Sequence, residues 1–291
     1  MKDRIIDCLA YEGKVSIKCI SSKNIVEEAR RIHDLSPLAS AALGRLLTMT
    51  SIMGYETKTK NGSVTNQIKG DGPIGILTAV GEGNGNVKGY VGNTTVNLPL
   101  KENGKLDVGT AVGKNGMLYI IKDLGIDKPY TGMVPIVSGE IAEDFTNYFA
   151  TSEQTPTVIA LGVLVDKNGI KAAGGYKLSL MPDATEKEIE IIEKQMKHIE
   201  PISKMLDENK TLEEIAKIVT GDENLKVLDE INPEYKCNCS REKFEKGLIA
   251  IGKDELDSII EEEEKIEMVC NFCNKKHIFT REDLKEIRSN M

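Results

Sequence analysis

Two short motifs near the carboxyl end of the chain, Cys237-Asn-Cys239 and Cys270-Asn-Phe-Cys273, are the most informative stretch of this sequence. They place four thiols in two close pairs inside one highly charged segment. Four thiolates are what a tetrahedral Zn²⁺ ion requires, and two pairs on separate turns can meet across a small fold. The motifs therefore predict a metal site that holds one Zn²⁺ per chain.

The same spacing also permits two local disulfides, since the partners in each pair lie close together in sequence. No segment is typical of a secretory signal, and no apolar run approaches the ~18 residues of a membrane span. We therefore expect a cytoplasmic protein without a membrane partner. A reducing cytosol favours metal binding or redox sensing by clustered thiols over permanent disulfides.

Two further cysteines, Cys8 and Cys19, have a different context. Cys19 continues the alternation of a half-buried strand that begins at Val15, and Cys8 lies in an apolar stretch from Ile5 to Ala10. Free cysteine behaves as a small buried hydrophobe in such settings. We expect both to be inert thiols of the core.

Charge and glycine divide the chain into three parts. Residues 1–182 hold 20 Lys and Arg against 18 Asp and Glu, residues 183–236 hold 8 against 15, and residues 237–291 hold 10 against 13. Of the 26 glycines, 23 precede residue 183. The predicted class is α+β: an amino-terminal α/β sheet domain over 1–182, a helical acidic linker over 183–236, and a small zinc-binding domain over 237–291.

Local patterns predict the elements of the first two parts. Helices are expected over Asn24–His33 and Pro37–Met53, the second capped by Ser36, and strands joined by tight turns over about 62–122. Ser138 is expected to open a helix before a buried strand over Val158–Val165. In the linker, capping boxes at Thr185 and Thr211 predict two amphipathic helices. Their apolar faces are expected to hold Ile189, Ile192, Met196 and Ile199 in the first helix, and Leu212, Ile215, Ile218 and Val219 in the second.

An enzymatic reading finds little support. The run Gly70-Asp-Gly-Pro-Ile-Gly75 fits the dinucleotide fingerprint formally, but the sequence after it predicts a strand and a hairpin turn rather than a helix. The three histidines, His33, His198 and His277, do not form part of a recognisable catalytic arrangement. We expect a protein that is not an enzyme.

Several motifs in a fixed order resemble one family. They are His33-Asp-Leu-Ser-Pro37, Ala41-Ala-Leu-Gly-Arg-Leu-Leu47, Lys69-Gly-Asp-Gly-Pro73, Ser138-Gly-Glu-Ile-Ala-Glu-Asp144, Ser152-Glu-Gln-Thr-Pro156, Ala172-Ala-Gly-Gly175 and the two cysteine motifs. Together they are similar to the 33 kDa chaperonin family, the redox-regulated heat-shock holdases of bacteria. The resemblance covers essentially the whole chain.

The resemblance implies a cytosolic chaperone that works without ATP. Its reduced, zinc-bound form would be idle, and its oxidised form would bind unfolding client proteins and dimerise. By the family's connectivity, Cys270 would pair with Cys273 and Cys237 with Cys239 once the zinc is released. One position departs from the family pattern, since His277 stands where a tyrosine is common; we expect it to be an exposed surface residue rather than a competing ligand.

Physical reasoning leads to the same switch. A segment of 55 residues has a marginal core, whereas a structural zinc ion contributes ~10 to 16 kcal/mol to folding. Val269, Phe272, Ile278 and Phe279 are expected to flank the second cysteine pair in a β-hairpin, before a helix that Thr280 opens. Loss of the metal should unfold this module and release the acidic linker, so that apolar surface becomes exposed.

Two rival functions remain open at this point. A zinc ribbon that binds nucleic acid needs a basic face, yet both the linker and the cysteine segment are net acidic. A thiol-disulfide oxidoreductase would use Cys270 and Cys273 as an active pair, but such a pair normally opens a helix, and Cys237 and Cys239 would be unexplained.

Overall fold

The computed structural model describes residues 2–125 and 128–291 and divides into two units, Met1–Lys236 and Cys237–Met291. Each unit combines sheet and helix, which confirms the α+β class. Among the described residues, no helix is both long and apolar enough to cross a membrane.

The first unit contains ten strands and seven helices among its described residues. In chain order, the strands are β1 (Arg4–Ala10), β2 (Val15–Ser21), β3 (Ser63–Lys69), β4 (Ile76–Glu82), β5 (Val87–Val91), β6 (Met117–Asp123), β7 (Tyr130–Pro135), β8 (Thr157–Asp166), β9 (Gly169–Leu180) and β10 (Lys226–Ile231). The helices are α1 (Lys23–His33), α2 (Pro37–Glu56), α3 (Val108–Val112), α4 (Ala142–Thr151), α5 (Glu186–Met196), α6 (Ile202–Asp207) and α7 (Leu212–Thr220).

The strands form two five-stranded antiparallel sheets. One sheet has the order β10-β1-β2-β9-β8, and the other has the order β5-β4-β3-β6-β7. The predicted strands over Ile5–Ala10, about 62–122 and Val158–Val165 are confirmed. Gly70 to Gly75 connects two antiparallel strands, β3 and β4, so the dinucleotide fingerprint is rightly set aside.

The helix α2 packs against both sheets, on β4 and β5 of one and on β8 and β9 of the other. Seventeen of its twenty residues are buried, so side chains on all its faces are covered by the protein. Ser36 caps it as predicted, since the Ser36 hydroxyl accepts the N–H of Ala39 at 3.1 Å. Its close approach to β4 requires glycine at position 81, where a Cβ would lie 2.3 Å from the Thr50 carbonyl oxygen.

One helix boundary differs from the prediction. The helix α4 begins at Ala142, not at Ser138. The carboxylate of the buried Asp144 accepts the backbone N–H groups of Val137, Ser138 and Ile141 at 2.8 to 3.0 Å, which folds this stretch into a tight turn ahead of the helix. A carboxylate that reaches back to the preceding backbone thus replaces the predicted hydroxyl cap.

The acidic segment packs on the outer face of the β1-containing sheet. Both predicted capping boxes are present, at the starts of α5 and α7. Seven buried apolar side chains of α5, α6 and α7 share one cluster with eight from β1, β2 and β9; Ile218, expected on the buried face, is 38% exposed instead. The division of residues 1–236 into a domain and a separable linker stays a prediction.

The second unit consists of three helices and a two-stranded hairpin. These are α8 (Arg241–Ala250), α9 (Lys253–Glu262), β11 (Lys265–Val269), β12 (Lys276–Thr280) and α10 (Arg281–Ser289), and Thr280 caps the last helix in a capping box as predicted. Phe279 is fully buried, whereas Val269 and Ile278, which were expected to share its role, are 44% and 50% exposed. The fully buried apolar cluster of the described unit has five members: Leu248, Leu256, Phe279, Leu284 and Ile287.

Candidate metal centre

One irregular segment and one turn present the four cysteine sulfurs. Cys237 and Cys239 lie in extended chain just before α8, and Cys270 and Cys273 lie in the turn between β11 and β12. That turn is closed by the Cys270 carbonyl, which accepts the N–H groups of Cys273 and Asn274 at 3.3 and 2.8 Å. Asn274 has φ 57°, a left-handed conformation that asparagine tolerates better than most residues. The local sequence therefore favours a turn with both thiols on one side.

The four sulfurs meet in one place. Cys237 Sγ lies 3.7 Å from Cys270 Sγ, and Cys239 Sγ lies 3.4 Å from Cys273 Sγ. All four lie within 4.8 Å of one another. A tetrahedral Zn²⁺ ion with Zn–S bonds of about 2.3 Å holds its sulfurs about 3.8 Å apart. The spacing and the donor type both fit a tetrahedral metal ion.

Backbone donors around the sulfurs support the thiolate form at one ligand. Burial opposes ionisation of Cys270, but the N–H groups of Phe272 and Cys273 point at its sulfur, and the pKa of Cys270 falls below its ordinary value. Burial raises the pKa of Cys239 to about 11 in the absence of a cation. A bound cation supplies the charge that lets all four thiols ionise together, because metal binding releases their protons.

The two cysteine pairs are held together by Arg241 on α8. Its guanidinium lies 4.2 Å from the ring centroid of Phe279, donates to the Ile278 carbonyl at 2.6 Å, and lies 2.8 Å from the carboxylate of Asp283. These contacts fix the start of α8, and with it the first pair, against the hairpin that carries the second pair. Sequence analysis missed Arg241, because its partners lie thirty-seven or more positions downstream and no local pattern marks them.

The expectation for His277 was wrong. His277 is only 8% exposed, its ring stacks on Phe244 with centroids 4.5 Å apart, and its Nε2 has no hydrogen-bond partner among the described residues. The ligand atoms that cluster within 4.8 Å come from the four cysteines and do not include His277.

The remaining cysteines are core thiols, as predicted. Cys8 and Cys19 are fully buried in the cluster beneath α5, α6 and α7. Burial raises the pKa of Cys8 to about 12, and that of Cys19 lies well above its ordinary value. Neither thiol is ionised near neutral pH, so neither competes for a metal or reacts readily with oxidants.

The geometry counts against an oxidoreductase. Cys270 and Cys273 lie in a turn between two strands and do not open a helix. The N-terminal dipole that lowers the pKa of an attacking thiol in such enzymes is therefore missing from this described turn. Cys237 and Cys239 also lie beside the pair rather than apart from it.

Comparison with known proteins identifies the family. The sequence model of the family described as Hsp33 protein matches residues 3–280. The chain belongs to the Hsp33 family. It is 47% identical to the 33 kDa chaperonin of Clostridium beijerinckii over 291 residues, which cover 100% of this chain and 99% of that protein. It is likewise 47% identical to the 33 kDa chaperonin of Clostridioides difficile, with 100% of each chain covered.

A solved Hsp33 structure has the same fold. The crystal structure of the 33 kDa chaperonin from Thermotoga maritima superposes with a TM-score of 0.90 at 36% identity, over 100% of this chain and 99% of that one. The resemblance deduced from the sequence motifs is confirmed. As a member of the Hsp33 family, the protein is a chaperone, and its relatives are named chaperonins rather than enzymes.

Proposed function

We propose that this chain is an ATP-independent holdase of the bacterial cytoplasm that oxidation activates. In the idle form, Cys237, Cys239, Cys270 and Cys273 hold one Zn²⁺ ion. In the active form, these cysteines are oxidised, Cys237–Met291 is unfolded, and exposed apolar surface binds unfolding clients. The observation that carries the proposal is the cluster of four sulfurs in a unit whose fully buried core has five members.

Energetics support a metal-dependent fold for this unit. The buried apolar cluster of this unit has five members, and six partly buried apolar side chains pack against it. A core of this size is marginal for a unit of 55 residues. A structural Zn²⁺ ion adds ~10 to 16 kcal/mol. Withdrawing its ligands should therefore unfold the unit as one cooperative piece.

Oxidation removes the ligands in a balanced reaction. Two thiols and one hydrogen peroxide give one disulfide and two waters, by way of a sulfenic acid on the first sulfur. Two such reactions consume all four thiols. The family resemblance assigns the pairs as Cys237 with Cys239 and Cys270 with Cys273. Each bond requires its sulfurs to approach to about 2.05 Å, closer than any arrangement around a metal ion permits.

The surface to be exposed is the cluster beneath α5, α6 and α7. Seven apolar side chains of these helices cover eight of the sheet, and the helices join directly to the cysteine segment through β10 and residues 232–236. That burial is substantial, so loss of the second unit alone does not remove the helices. Heat that loosens their packing is the second requirement, and an oxidised, warmed chain meets both.

The net charge of residues 183–236 and the dimerisation of the active form are the last two parts of the proposed function. The segment 183–236 carries 15 acidic against 8 basic residues, which keeps complexes with apolar clients in solution once it is released. The activated form is a homodimer, because two molecules with newly exposed apolar surface bury it against each other. The acidic balance of this segment and of the cysteine unit disfavours nucleic acid as a partner.

The test combines metal release with client protection. Treating the reduced protein with hydrogen peroxide at mildly elevated temperature should release one zinc per chain, measured with a chromogenic chelator. In the same sample, light scattering from a heat-denatured client should be suppressed. Cys270→Ser and Cys273→Ser should bind zinc weakly and change the peroxide dependence, whereas Ser258→Ala, at an exposed position of α9 in the same unit, should respond as the wild type does.

Two outcomes would count against the holdase. Suppression of aggregation that is identical in the reduced and oxidised protein would contradict the redox switch. Reduction of insulin disulfides at a rate that depends on Cys270 would instead support the oxidoreductase.

A further inference from the structure

The segment from Lys226 to Lys236 covers one edge of each five-stranded sheet. Its first part, β10, pairs antiparallel with β1, from Lys226 opposite Leu9 to Ile231 opposite Ile5. Its last part runs parallel to the start of β5: the Glu234 carbonyl accepts the N–H of Val87 at 3.0 Å, and the N–H of Lys236 donates to the Val87 carbonyl at 2.9 Å. Removing these eleven residues would open the edge of β1 along Ile5–Leu9 and the start of the edge of β5, where the segment contacts Val87 and Gly89.

The backbone ladder provides most of the pairing between β10 and β1. Five of the six residues of β10 are exposed, including Val227 at 46% and Leu228 at 56%. The ion pair of Glu230 with Arg4 lies at the surface, and such pairs contribute about 1 kcal/mol at most. Side-chain hydrogen bonds add to the ladder, since Tyr55 donates to Asp229, Asn232 donates to the Asp3 carbonyl and Tyr235 donates to the Gly89 carbonyl. The ladder itself can be formed by any extended polypeptide, because backbone donors and acceptors do not depend on sequence.

One position does select a side chain. Ile231 packs against Ile5, Ile20, Ile52 and Tyr55, which form a small buried cluster at the end of the ladder. The residues before it in β10 face solvent. A polypeptide that replaces β10 therefore needs one aliphatic residue at the position of Ile231 and no proline in the five residues before it, since proline would remove a donor from the ladder.

This segment is also the easiest part of the acidic region to release. The helices α5, α6 and α7 are held by seven buried apolar side chains, whereas β10 is held mainly by backbone hydrogen bonds. Lys236 is joined directly to Cys237, so the chain just beyond the ladder becomes disordered when the cysteine unit unfolds. The two sheet edges thus open before the large apolar cluster does.

We propose that the edges of β1 and β5, once released from residues 226–236, bind an extended segment of an unfolded client by main-chain pairing. An open edge is a template for another strand, and strand addition is an established mode of peptide binding. The client, not a second copy of this chain, is the occupant, because the ladder selects only an extended backbone with one aliphatic anchor, and unfolding proteins offer many such segments. The inference rests on the proposed holdase function and specifies its binding site.

A peptide with the sequence of residues 226–236 tests the inference on the full-length protein. Labelled with fluorescein, it should bind the peroxide-treated, warmed protein in an anisotropy titration and should bind the reduced zinc form at least tenfold more weakly. A control peptide of the same sequence, N-methylated from Val227 to Ile231, keeps every side chain and loses the ladder donors. It should bind the oxidised protein at least about tenfold more weakly, since each lost hydrogen bond costs about 1 kcal/mol. The unmodified peptide should displace a reduced, carboxymethylated client.

Amide hydrogen exchange gives a second readout. Within Ile5–Leu9, the amides that face β10 should lose protection on oxidation, as should that of Val87, whereas those that face β2 should keep it. The freed amides should regain protection when the carboxymethylated client is added. Equal binding of the two peptides, or edge amides that stay unprotected with client bound, would overturn the inference while the holdase function stands. Edge protection that returns with protein concentration alone would assign the edges to a second copy and would also overturn it. Failure of the oxidised protein to suppress aggregation would instead refute the holdase function.

Discussion

The two units of this chain differ in the size of their apolar cores and in the number of clustered thiols that could bind a metal ion. The first unit has a main core cluster of thirty-two buried apolar residues, with α2 between two sheets, among the residues described. The second has five such residues and four clustered thiols. A large core is stable through burial, whereas a small one depends on a group that chemistry can remove. The difference teaches that a unit with so small a core depends far more on what its clustered thiols bind than the first unit does on any single group.

Removal of the metal without oxidation should produce the largest difference in stability between the two units. Chelating the zinc of the reduced protein should unfold Cys237–Met291, because the unit loses a contribution of ~10 to 16 kcal/mol, while the two sheets stay folded. Amide exchange resolved along the chain measures both. Readdition of Zn²⁺ under reducing conditions is the control and should restore protection. A second unit that keeps its protected amides after complete metal loss would break the comparison.

Matched phenylalanine substitutions in the two units should show which core is coupled to metal binding. Phe279→Ala in the second unit and Phe145→Ala in the first each remove a fully buried ring, at a cost of about 3 to 5 kcal/mol. Because folding and metal binding are coupled in the second unit, Phe279→Ala should weaken zinc affinity more than about a hundredfold. Phe145→Ala should lower the urea midpoint of the first unit and leave zinc affinity unchanged. Equal effects on zinc affinity would show that the units are not independent.

Lowering the pH should change the stability of the two units in opposite directions. Burial raises the pKa of Asp3 to about 6 from an ordinary value of 3.8, against the backbone N–H groups of Ile25 and Asn24, which lower it. The folded first unit therefore holds the proton more tightly than the unfolded chain, so this stabilisation is full below pH 3.8 and is lost as the pH rises through about 6. Thiolate ligands give the second unit the reverse dependence.

Asp3→Asn isolates the first of these effects. Between pH 4 and pH 7, the free energy of unfolding of the variant should rise relative to the wild type by about 2 kcal/mol, which is most of the effect of that pKa difference. Urea titrations across this pH range measure the difference in the free energy of unfolding between the variant and the wild type. A difference that does not change with pH would contradict the raised pKa of Asp3 in the folded protein.

Among these substitutions, Tyr235→Phe should produce the smallest change in stability. The Tyr235 hydroxyl donates to the Gly89 carbonyl at 2.8 Å and lies 3.2 Å from His33 Nε2, so it fastens the end of the 226–236 segment to β5. Removing it should cost about 1 kcal/mol and lower the temperature at which the oxidised protein becomes active. Zinc affinity of the reduced protein should not change, and a change in it would place Tyr235 in the metal-dependent unit instead.

Sequence patterns predicted the features that neighbouring residues determine. Ser36, Thr211 and Thr280 cap helices because a hydroxyl needs only the amide three positions ahead, and Thr185 is bound by the Glu188 carboxylate three positions ahead. The four clustered cysteines were found for the same reason, since the partners in each pair are close together in sequence. That they act as zinc ligands and as disulfide partners stays a prediction.

Features that depend on distant partners were missed. The strand β10 was not predicted, because its mostly exposed side chains show no alternation and the pairing with β1 lies in the backbone. His277 was expected at the surface, since nothing nearby in sequence announces that Phe244 covers its ring. The turn before α4 depends on Asp144, whose carboxylate accepts backbone N–H groups that precede it in the chain. In the sequence, Asp144 looks like any acidic residue in the first turn of a helix, so this role was not predicted.

The placement of Cys8 and Cys19 has a consequence for the lifetime of the molecule. In the folded chain both thiols lie beneath α5, α6 and α7 and stay protonated, so they are protected from peroxide while these helices remain packed. Under the proposed function, release of the helices would uncover Cys8 and Cys19 together with the client-binding surface. Prolonged activation would therefore expose the scaffold itself to oxidation, and repacking of the helices would end that exposure.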